Sequence, residues 1–237
     1  MKLLSLIPNT LTFLNLFFGC IAIVYGLNGD LESLALFVFL GMLCDFFDGF
    51  SARLLNVKSK IGAQLDSFSD LVTFGLSSSV VMFILLSNSS YVIDNSSDSY
   101  IKLIPYLSFL ITISSSYRLA NFNLQSNDSY FIGLPTPANA LLIVCLPSLF
   151  ENIIVIQYVE LIDNTIFLLI IVILSSFLLI CDIKMFSLKI KKLNFRTKKF
   201  LFFFISCFLV LLIIFKLALF PVIILIYIFI NLFRIKV

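Results

Sequence analysis

Long apolar runs separated by short polar segments make up most of this chain. Because about 20 apolar residues cross a bilayer as a helix, the pattern predicts eight membrane spans. They lie at 8–26, 31–53, 64–87, 101–122, 134–150, 161–182, 200–215 and 218–234. The last two are divided only by Lys216 and Pro221, so a re-entrant pair is the alternative there. The stretch 87–100 is predicted to be a polar loop.

The composition narrows the fold class. Of the 237 residues, 61% are hydrophobic and 12% charged, and the mean hydropathy is +1.13. These values exclude a soluble domain and predict an all-α polytopic membrane protein. We expect a six-helix core over 1–183, a basic cytoplasmic linker over 184–199 and a two-helix hairpin over 200–237. The five cysteines lie in or beside apolar runs, which favours buried thiols over disulfides or zinc ligands.

The basic residues indicate the orientation. In this layout only Lys102 and Lys216 fall on one side, and the other lysines and arginines face the opposite side. The positive-inside rule makes that richer side cytoplasmic. We therefore expect a multi-pass protein of the cytoplasmic (cell) membrane with its acidic motif open to the cytoplasm.

That acidic motif is the clearest candidate for chemistry. Asp45 and Asp48 are three residues apart, Asp66 and Asp70 are four apart, and Arg53 lies between the pairs. On helices, each pair of carboxylates shares a face. Four carboxylates converging at a bilayer edge need a counter-charge, and oxygen ligands suit hard divalent cations. An ordinary solvated helix end is the alternative for either pair alone, but not for the whole array.

A second alternative is a cation transporter that uses the carboxylates as an ion path. Such a path requires acidic groups spread through the depth of the membrane. Here they cluster near one face beside Arg53 and two small residues, Gly49 and Ala52, which fits a phosphate site better. With no histidine in the chain, a carboxylate must act as any general base, and Asp70 is the best placed.

The array D-x-x-D-G-x-x-A-R, eight residues, then G-x-x-x-D-x-x-x-D resembles the signature of the CDP-alcohol phosphatidyltransferases. The resemblance implies a six-helix core, a CDP-lipid donor and two divalent cations, Mg²⁺ or Mn²⁺. It places Asp45, Asp48, Asp66 and Asp70 around the metals. Residues implied to bind CDP-diacylglycerol are Asn9, Thr12, Gly49, Ala52, Arg53 and Gly62. For Asn9 and Thr12, hydrogen bonding between helices is an equal alternative.

Three further segments suggest the acceptor. They are SSYRLANFN (115–123), YFIGLPTPANA (130–140) and CDIKMFSLK (181–189), and they are similar to bacterial integral-membrane phosphatidylserine synthases. This resemblance implies L-serine. Its carboxylate needs a cation, and Arg118 is the only strong base between the fourth and fifth spans, with Asn121, Asn123 and Thr136 as neutral candidates to complete the pocket. The alternative is that Arg118 only anchors the membrane interface. Glycerol 3-phosphate or inositol phosphate is the alternative acceptor, and each would require more bases than Arg118. The expected partners are membrane phospholipids and a second copy of the chain in a homodimer, with no nucleic acid.

Overall fold

The computed structural model describes residues 6–57, 59–124, 131–151, 163–182, 184–185, 220–221, 223–226 and 228. Apart from one two-residue β pair, the regular structure of these residues is helical. Three continuous helical stretches, Leu6–Leu27, Leu31–Leu54 and Lys60–Ser87, are long and apolar enough to cross a membrane. The protein is therefore an all-α membrane protein.

Helix α1 (Leu6–Leu27) presents a narrow polar and small-residue stripe to its neighbours. The buried members follow each other at alternating spacings of four and three, so they lie along one face. They are Pro8, Thr12, Asn15, Gly19, Ala22 and Gly26. Small residues let transmembrane helices approach closely, and the polar ones can bond across the interface.

Helix α2 (Leu31–Leu54) has Asp30 as its N-cap residue, whose side chain accepts a 2.9 Å hydrogen bond from Ser33 N. This capping interaction lowers the pKa of Asp30, because a charged carboxylate accepts the bonds best. The helix ends before Asn56, which has a φ of +51° and turns the chain toward α3. The turn keeps the acidic residues of α2 and α3 at one end of the bundle.

The third long stretch is interrupted in its middle. It consists of α3 (Lys60–Asp70), a π-helical turn π1 (Leu71–Leu76) and α4 (Ser77–Ser87). Ser59 caps α3 by accepting from Gly62 N at 3.2 Å. Short π segments frequently occur at functional sites. Here π1 starts immediately after Asp70.

The remaining elements complete the bundle. Helix α5 (Ser90–Asp94) is followed by a 3₁₀ segment (Ile101–Phe109) and α6 (Leu110–Leu124). Next come β1 (Phe131–Ile132), α7 (Thr136–Val144), α8 (Leu146–Glu151), α9 (Thr165–Ile180) and β2 (Lys184–Met185).

The β pair closes the end of the bundle that carries the acidic residues. β1 and β2 are antiparallel, with Phe131 opposite Met185 and Ile132 opposite Lys184. Gly133 follows with a φ of +71°, and a Cβ there would lie 2.7 Å from the Leu179 carbonyl oxygen. Only glycine fits such a close backbone approach without strain. The start of α7 is thereby held against the end of α9.

The core is formed by residues of most helices. Fully buried side chains include Leu34 of α2, Phe74 of π1, Met82 of α4, Ile111 of α6 and Leu168 of α9. A smaller cluster joins two residues of the C-terminal region to the segment around α7, and its members are Leu134, Leu142, Ile224 and Ile228.

The first six predicted spans coincide with helical stretches, with differences at their ends. The third span begins at Lys60 rather than 64, the fourth starts as a 3₁₀ segment, and the fifth is divided at Cys145. The predicted loop 87–100 contains the short helix α5. Most of the linker 184–199 and of the hairpin 200–237 lies outside the described residues, so both stay predictions. The expectation of buried cysteines was wrong for Cys20, which is exposed on α1, and right for Cys145.

Candidate active site

Three of the four aspartates meet at one end of the bundle. Asp45 and Asp48 come from the last turns of α2, and Asp66 comes from α3. One carboxylate oxygen from each lies within 4.8 Å of the other two. Because a short turn joins α2 to α3, aspartates about 20 residues apart in the sequence come together in one cluster.

The donor set fits a divalent cation. Asp66 Oδ1 is buried and has no hydrogen-bond partner among the described residues. A buried carboxylate oxygen without a partner is costly, and three converging carboxylates repel one another. Carboxylate oxygens are the ligands that Mg²⁺ and Mn²⁺ prefer. This end of the bundle is therefore a candidate metal site held by Asp45, Asp48 and Asp66.

Asp70 lies one turn further along α3 and, like Asp48, is buried. Its side chain is 9% exposed, and its Oδ1 accepts a 3.3 Å hydrogen bond from Asn15 Nδ2. It is not part of the group of three oxygens that converge within 4.8 Å. Asp70 is thus distinguished by its position from the other three carboxylates.

Helix α1 supports the carboxylates from the opposite side. Thr12 Oγ1 donates a 2.6 Å hydrogen bond to Asp48 Oδ2, a length typical of a hydroxyl bound to an ionised carboxylate. Ser69 Oγ donates to the Thr12 carbonyl at 3.0 Å, which holds α3 against α1. The first helix therefore orients side chains on both of its neighbours.

A cavity of about 600 Å³ opens beside the carboxylates. The start of α1, the end of α2 and the start of α3 each contribute part of its wall. The lining residues are Pro8, Asn9, Thr12, Asp48, Gly49, Ala52, Val57, Ser59, Lys60, Gly62, Ala63 and Asp66. Its volume is within the range of small-molecule sites. Asp48 and Asp66 belong both to the carboxylate cluster and to the cavity wall.

Five of the six residues expected to bind the nucleotide line this cavity: Asn9, Thr12, Gly49, Ala52 and Gly62. The sixth, Arg53, is exposed and is not a lining residue. A Cβ at Gly49 would have the Arg53 guanidinium, at 3.8 Å, as its nearest contact, so space is open there. At Gly62 a Cβ would lie 3.1 Å from Asn9 Oδ1, so this glycine permits close packing of α3 on α1.

The residues expected to bind the acceptor lie on α6 and α7. Arg118 Nη1 donates a 2.7 Å hydrogen bond to Thr136 Oγ1, and Thr136 is fully buried. Arg118 Nε is buried without a partner in the described part of the chain. The charges of Arg118 and Asp70 are close enough to attract each other. Arg118 therefore has a free donor on the same side of the bundle as Asp70.

The two asparagines of this segment are placed differently. Asn123 Nδ2 donates to Ser67 Oγ at 2.9 Å and links α6 to α3 at the surface. Asn121 is half-buried. Neither residue is joined by a hydrogen bond to Arg118 or Thr136 among the contacts of the described residues.

The sequence places Asn15 at helical spacing from Asn9 and Thr12, a set for which contact with the nucleotide and hydrogen bonding between helices are equal alternatives. The structure shows that Asn15 contacts Asp70 rather than the cavity. Ser69 and Thr73, which bond to the backbone of α1, were not recognised. Their signal was too general, because serine and threonine are common at helix interfaces in membranes.

Comparison with known proteins places this geometry in a family. The model of the CDP-alcohol phosphatidyltransferase family matches residues 5–175. A Bacillus subtilis protein named CDP-diacylglycerol–serine O-phosphatidyltransferase is 38% identical over 144 residues, 60% of this chain and 76% of that protein.

Two other relatives carry the same name. The Methanocaldococcus jannaschii protein is 33% identical over 178 residues, 75% of this chain and 72% of its own length. The Helicobacter pylori (strain J99) protein is 33% identical over 144 residues, 60% of this chain and 56% of its own length. All three alignments leave part of each protein unmatched.

Proposed function

Because the chain belongs to the CDP-alcohol phosphatidyltransferase family, we propose that it transfers the phosphatidyl group of CDP-diacylglycerol to L-serine. The products are phosphatidylserine and CMP. The observation that carries this proposal is the position of the carboxylate cluster at the wall of a cavity large enough for a nucleotide. The names of the relatives support serine as the acceptor.

Of the four aspartates that the family resemblance assigns to the metals, Asp45, Asp48 and Asp66 have converging oxygens and would hold Mg²⁺ or Mn²⁺, and Asp70 would complete the set. When bound, the cations supply charge neutralisation at the diphosphate and polarise the phosphorus under attack. Thr12 contributes by fixing the Asp48 carboxylate through its 2.6 Å bond. Positioning and electrostatics of this kind account for most of the catalysis in phosphoryl transfer.

The cavity would receive the CDP group. Gly49 leaves open space on the α2 wall, where a flat base can lie against the helix. Asn9 supplies an amide at the α1 wall and Lys60 an ammonium at the α3 wall. The exposed Arg53 would reach a phosphate from the rim of the site rather than from within the cavity.

Asp70 would act as the general base. The serine hydroxyl attacks the phosphatidyl phosphorus, a new P–O bond forms, and the P–O bond to CMP breaks. The hydroxyl proton passes to the Asp70 carboxylate, and CMP leaves with the electron pair of the broken bond. No histidine exists in the chain, so a carboxylate is the available base at this site.

Arg118 would bind the serine carboxylate. Its Nε–H has no partner among the residues that the structure describes, and its Nη1 is fixed by Thr136, so the guanidinium is oriented before substrate arrives. A charge-assisted contact to a carboxylate then costs little further ordering.

Glycerol 3-phosphate or inositol phosphate remains the alternative acceptor. Arg118 is the only lysine or arginine between Lys102 and Lys184 in the sequence, which disfavours a phosphorylated substrate. The β pair, however, brings the backbone of Lys184 opposite Ile132, just before α7. The basic stretch 184–199 thus begins next to the segment that leads into α7, whereas the names of the relatives support serine.

The reaction would occur at the cytoplasmic face of the cell membrane. In the sequence, Lys58 and Lys60 lie between the two pairs of aspartates, and the positive-inside rule favours the cytoplasm for such a basic segment. A homodimer surrounded by phospholipid stays a prediction, because the structure contains one chain.

An acceptor panel tests this function. Purified protein is incubated with CDP-diacylglycerol, Mg²⁺ and one of L-serine, glycerol 3-phosphate or inositol phosphate, and the lipid product is identified by mass spectrometry. Phosphatidylserine is expected with serine, together with an equal amount of CMP. A lipid product that carries glycerol phosphate or inositol phosphate instead of serine would overturn serine as the acceptor. Absence of CMP release with every acceptor would overturn the transferase activity itself.

A further inference from the structure

Asn15 is a fully buried polar residue in the middle of a membrane-spanning helix. A buried amide in such a position is costly unless its hydrogen bonds are made. Its Nδ2 donates to Asp70 Oδ1 at 3.3 Å, across the interface between α1 and α3. Its Oδ1 has no partner among the described residues. The amide is therefore placed for Asp70 and not for the stability of the helix pair alone.

The surroundings of Asn15 leave the amide little freedom. Thr73 Oγ1 donates to the Asn15 backbone carbonyl at 2.9 Å, which fixes that turn of α1 against π1. On the other side lies Gly41 of α2, where an added Cβ would approach Asn15 Oδ1 to 2.9 Å. Three helices thus enclose this side chain, and each limits its rotation.

Asp70 depends on this contact more than the other carboxylates depend on theirs. The converging oxygens belong to Asp45, Asp48 and Asp66, so a cation bound there would orient those three. For Asp70, the Asn15 amide is the one side-chain hydrogen bond made to its carboxylate within the described residues. The residue after Asp70 begins the π turn, so the helix itself changes geometry at this point.

We propose that Asn15 is a positioning residue that orients the Asp70 carboxylate toward the incoming hydroxyl group. The bond to Nδ2 occupies one lone pair of Oδ1, and the other carboxylate oxygen stays available to receive the proton. The inference rests on the proposed role of Asp70 as the base. It assigns Asn15 no contact with either substrate.

The test compares Asn15→Leu with Thr73→Val in detergent-solubilised full-length protein. Leucine keeps the branching and the heavy-atom count of the asparagine side chain and has no donor, but it is larger. Thr73→Val removes a bond to the same residue of α1 and leaves the amide in place. Turnover is measured as phosphatidylserine formed per CDP-diacylglycerol binding site, so a misfolded fraction does not contribute. Asn15→Ala is the second variant, because alanine leaves the space of the amide group empty, whereas leucine fills it.

Both Asn15 variants should lower kcat by about 10- to 100-fold, the effect of one lost hydrogen bond to a charged group. KM for CDP-diacylglycerol and for serine should change less than about threefold, because Asn15 touches neither. Thr73→Val should stay within about threefold of wild type in every constant. A purely structural role would instead lower the number of binding sites and leave turnover per site unchanged.

Several results would overturn the inference. Equal loss of turnover per site in Thr73→Val would assign the effect to packing of α1 on π1. Recovery of the Asn15→Leu turnover at raised Mg²⁺ would assign Asn15 to metal binding. Failure of the base assignment itself is seen separately, because Asp70→Asn would then keep near-normal turnover whatever the Asn15 variants do.

Discussion

Arg118 Nη1 donates a 2.7 Å hydrogen bond to Thr136 Oγ1 and so joins α6 to the first turn of α7. The two residues belong to separate sequence segments, and Gly133 and the β pair hold the second segment against the end of α9. Thr136 is fully buried, so the bond is protected from water. Within the described part of the chain the Nε–H of this guanidinium has no hydrogen-bond partner, and the bond to Thr136 fixes its orientation.

The first prediction concerns Arg118. Arg118→Ala should raise the serine concentration needed for half-maximal rate by roughly one to two orders of magnitude, because a charge-assisted contact contributes about 1.5–3 kcal/mol. Arg118→Lys should recover part of the affinity, since a point charge cannot form the two-pronged contact. The measurement is serine saturation at fixed CDP-diacylglycerol. An unchanged serine dependence would place the carboxylate site elsewhere, with the stretch 184–189 next in line.

Thr136→Val provides the matched control for that experiment. It keeps the charge of Arg118 and removes only the bond that fixes Nη1. We expect an increase in the serine requirement that is smaller than that of Arg118→Ala, because only orientation is lost. An effect equal to that of Arg118→Ala would indicate that Thr136 itself binds the acceptor.

The second prediction concerns the metal. Removal of divalent cations with a chelator should abolish phosphatidylserine formation, and Mg²⁺ or Mn²⁺ should restore it, because three carboxylates converge within 4.8 Å. Direct binding of Mn²⁺, followed by electron paramagnetic resonance, should be weakened by Asp45→Asn and by Asp66→Asn. Full activity in a metal-free preparation would end the metal-assisted mechanism.

The third prediction separates the roles of two aspartates four residues apart. Asp70→Asn should abolish turnover and largely spare CDP-diacylglycerol binding, because the proposed base is lost while three carboxylates remain. Asp66→Asn should impair both turnover and binding, since Asp66 belongs to the carboxylate cluster and to the cavity wall. Binding is measured by titration with CDP-diacylglycerol in micelles. Near-normal turnover of Asp70→Asn would show that another group takes the proton.

The sequence predicted the helices and the acidic array because both signals are local and strong. In lipid, a run of about 20 apolar residues satisfies its backbone hydrogen bonds by forming a helix. Helical spacing then puts the paired aspartates on one face. The division of α3 from α4 by the π turn was not predictable, since it depends on how Thr73 and Gly75 pack against α1 and α6. The break at Cys145 is different, because Pro147 in the first turn of α8 lacks the N–H that a continuous helix needs at that position.

The candidate site was predictable in composition but not in its internal arrangement. Spacing placed Asp66 and Asp70 on one face, yet it could not show that Asp66 joins the cluster while Asp70 bonds to Asn15. That difference arises from the position of α1 between α2 and α3, which is a long-range relationship. The contact between Gly62 and Asn9 was not predictable either, because it depends on how closely α3 approaches α1 and not on the sequence motif.

The fourth prediction uses two glycines that differ in their surroundings. A Cβ at Gly19 would lie 2.8 Å from Thr73 Cα and even closer to its hydroxyl, so α1 and π1 would have to separate. A Cβ at Gly49 would meet nothing nearer than the Arg53 guanidinium at 3.8 Å, and it would project at the cavity wall. Substitution by alanine therefore tests helix packing at Gly19 and the space for substrate at Gly49.

Gly19→Ala should destabilise the protein by about 1–3 kcal/mol through overpacking and lower its Tm in detergent by several degrees. Gly49→Ala should leave Tm unchanged or slightly higher, because alanine favours helix over glycine by about 1 kcal/mol. Its KM for CDP-diacylglycerol should nevertheless rise roughly tenfold, since the methyl group occupies space at the nucleotide wall. Thermal unfolding and CDP-diacylglycerol saturation of both variants provide the comparison. A normal KM in Gly49→Ala would show that the nucleotide does not lie against this turn of α2, and the cavity would then have to receive it along α1 and α3.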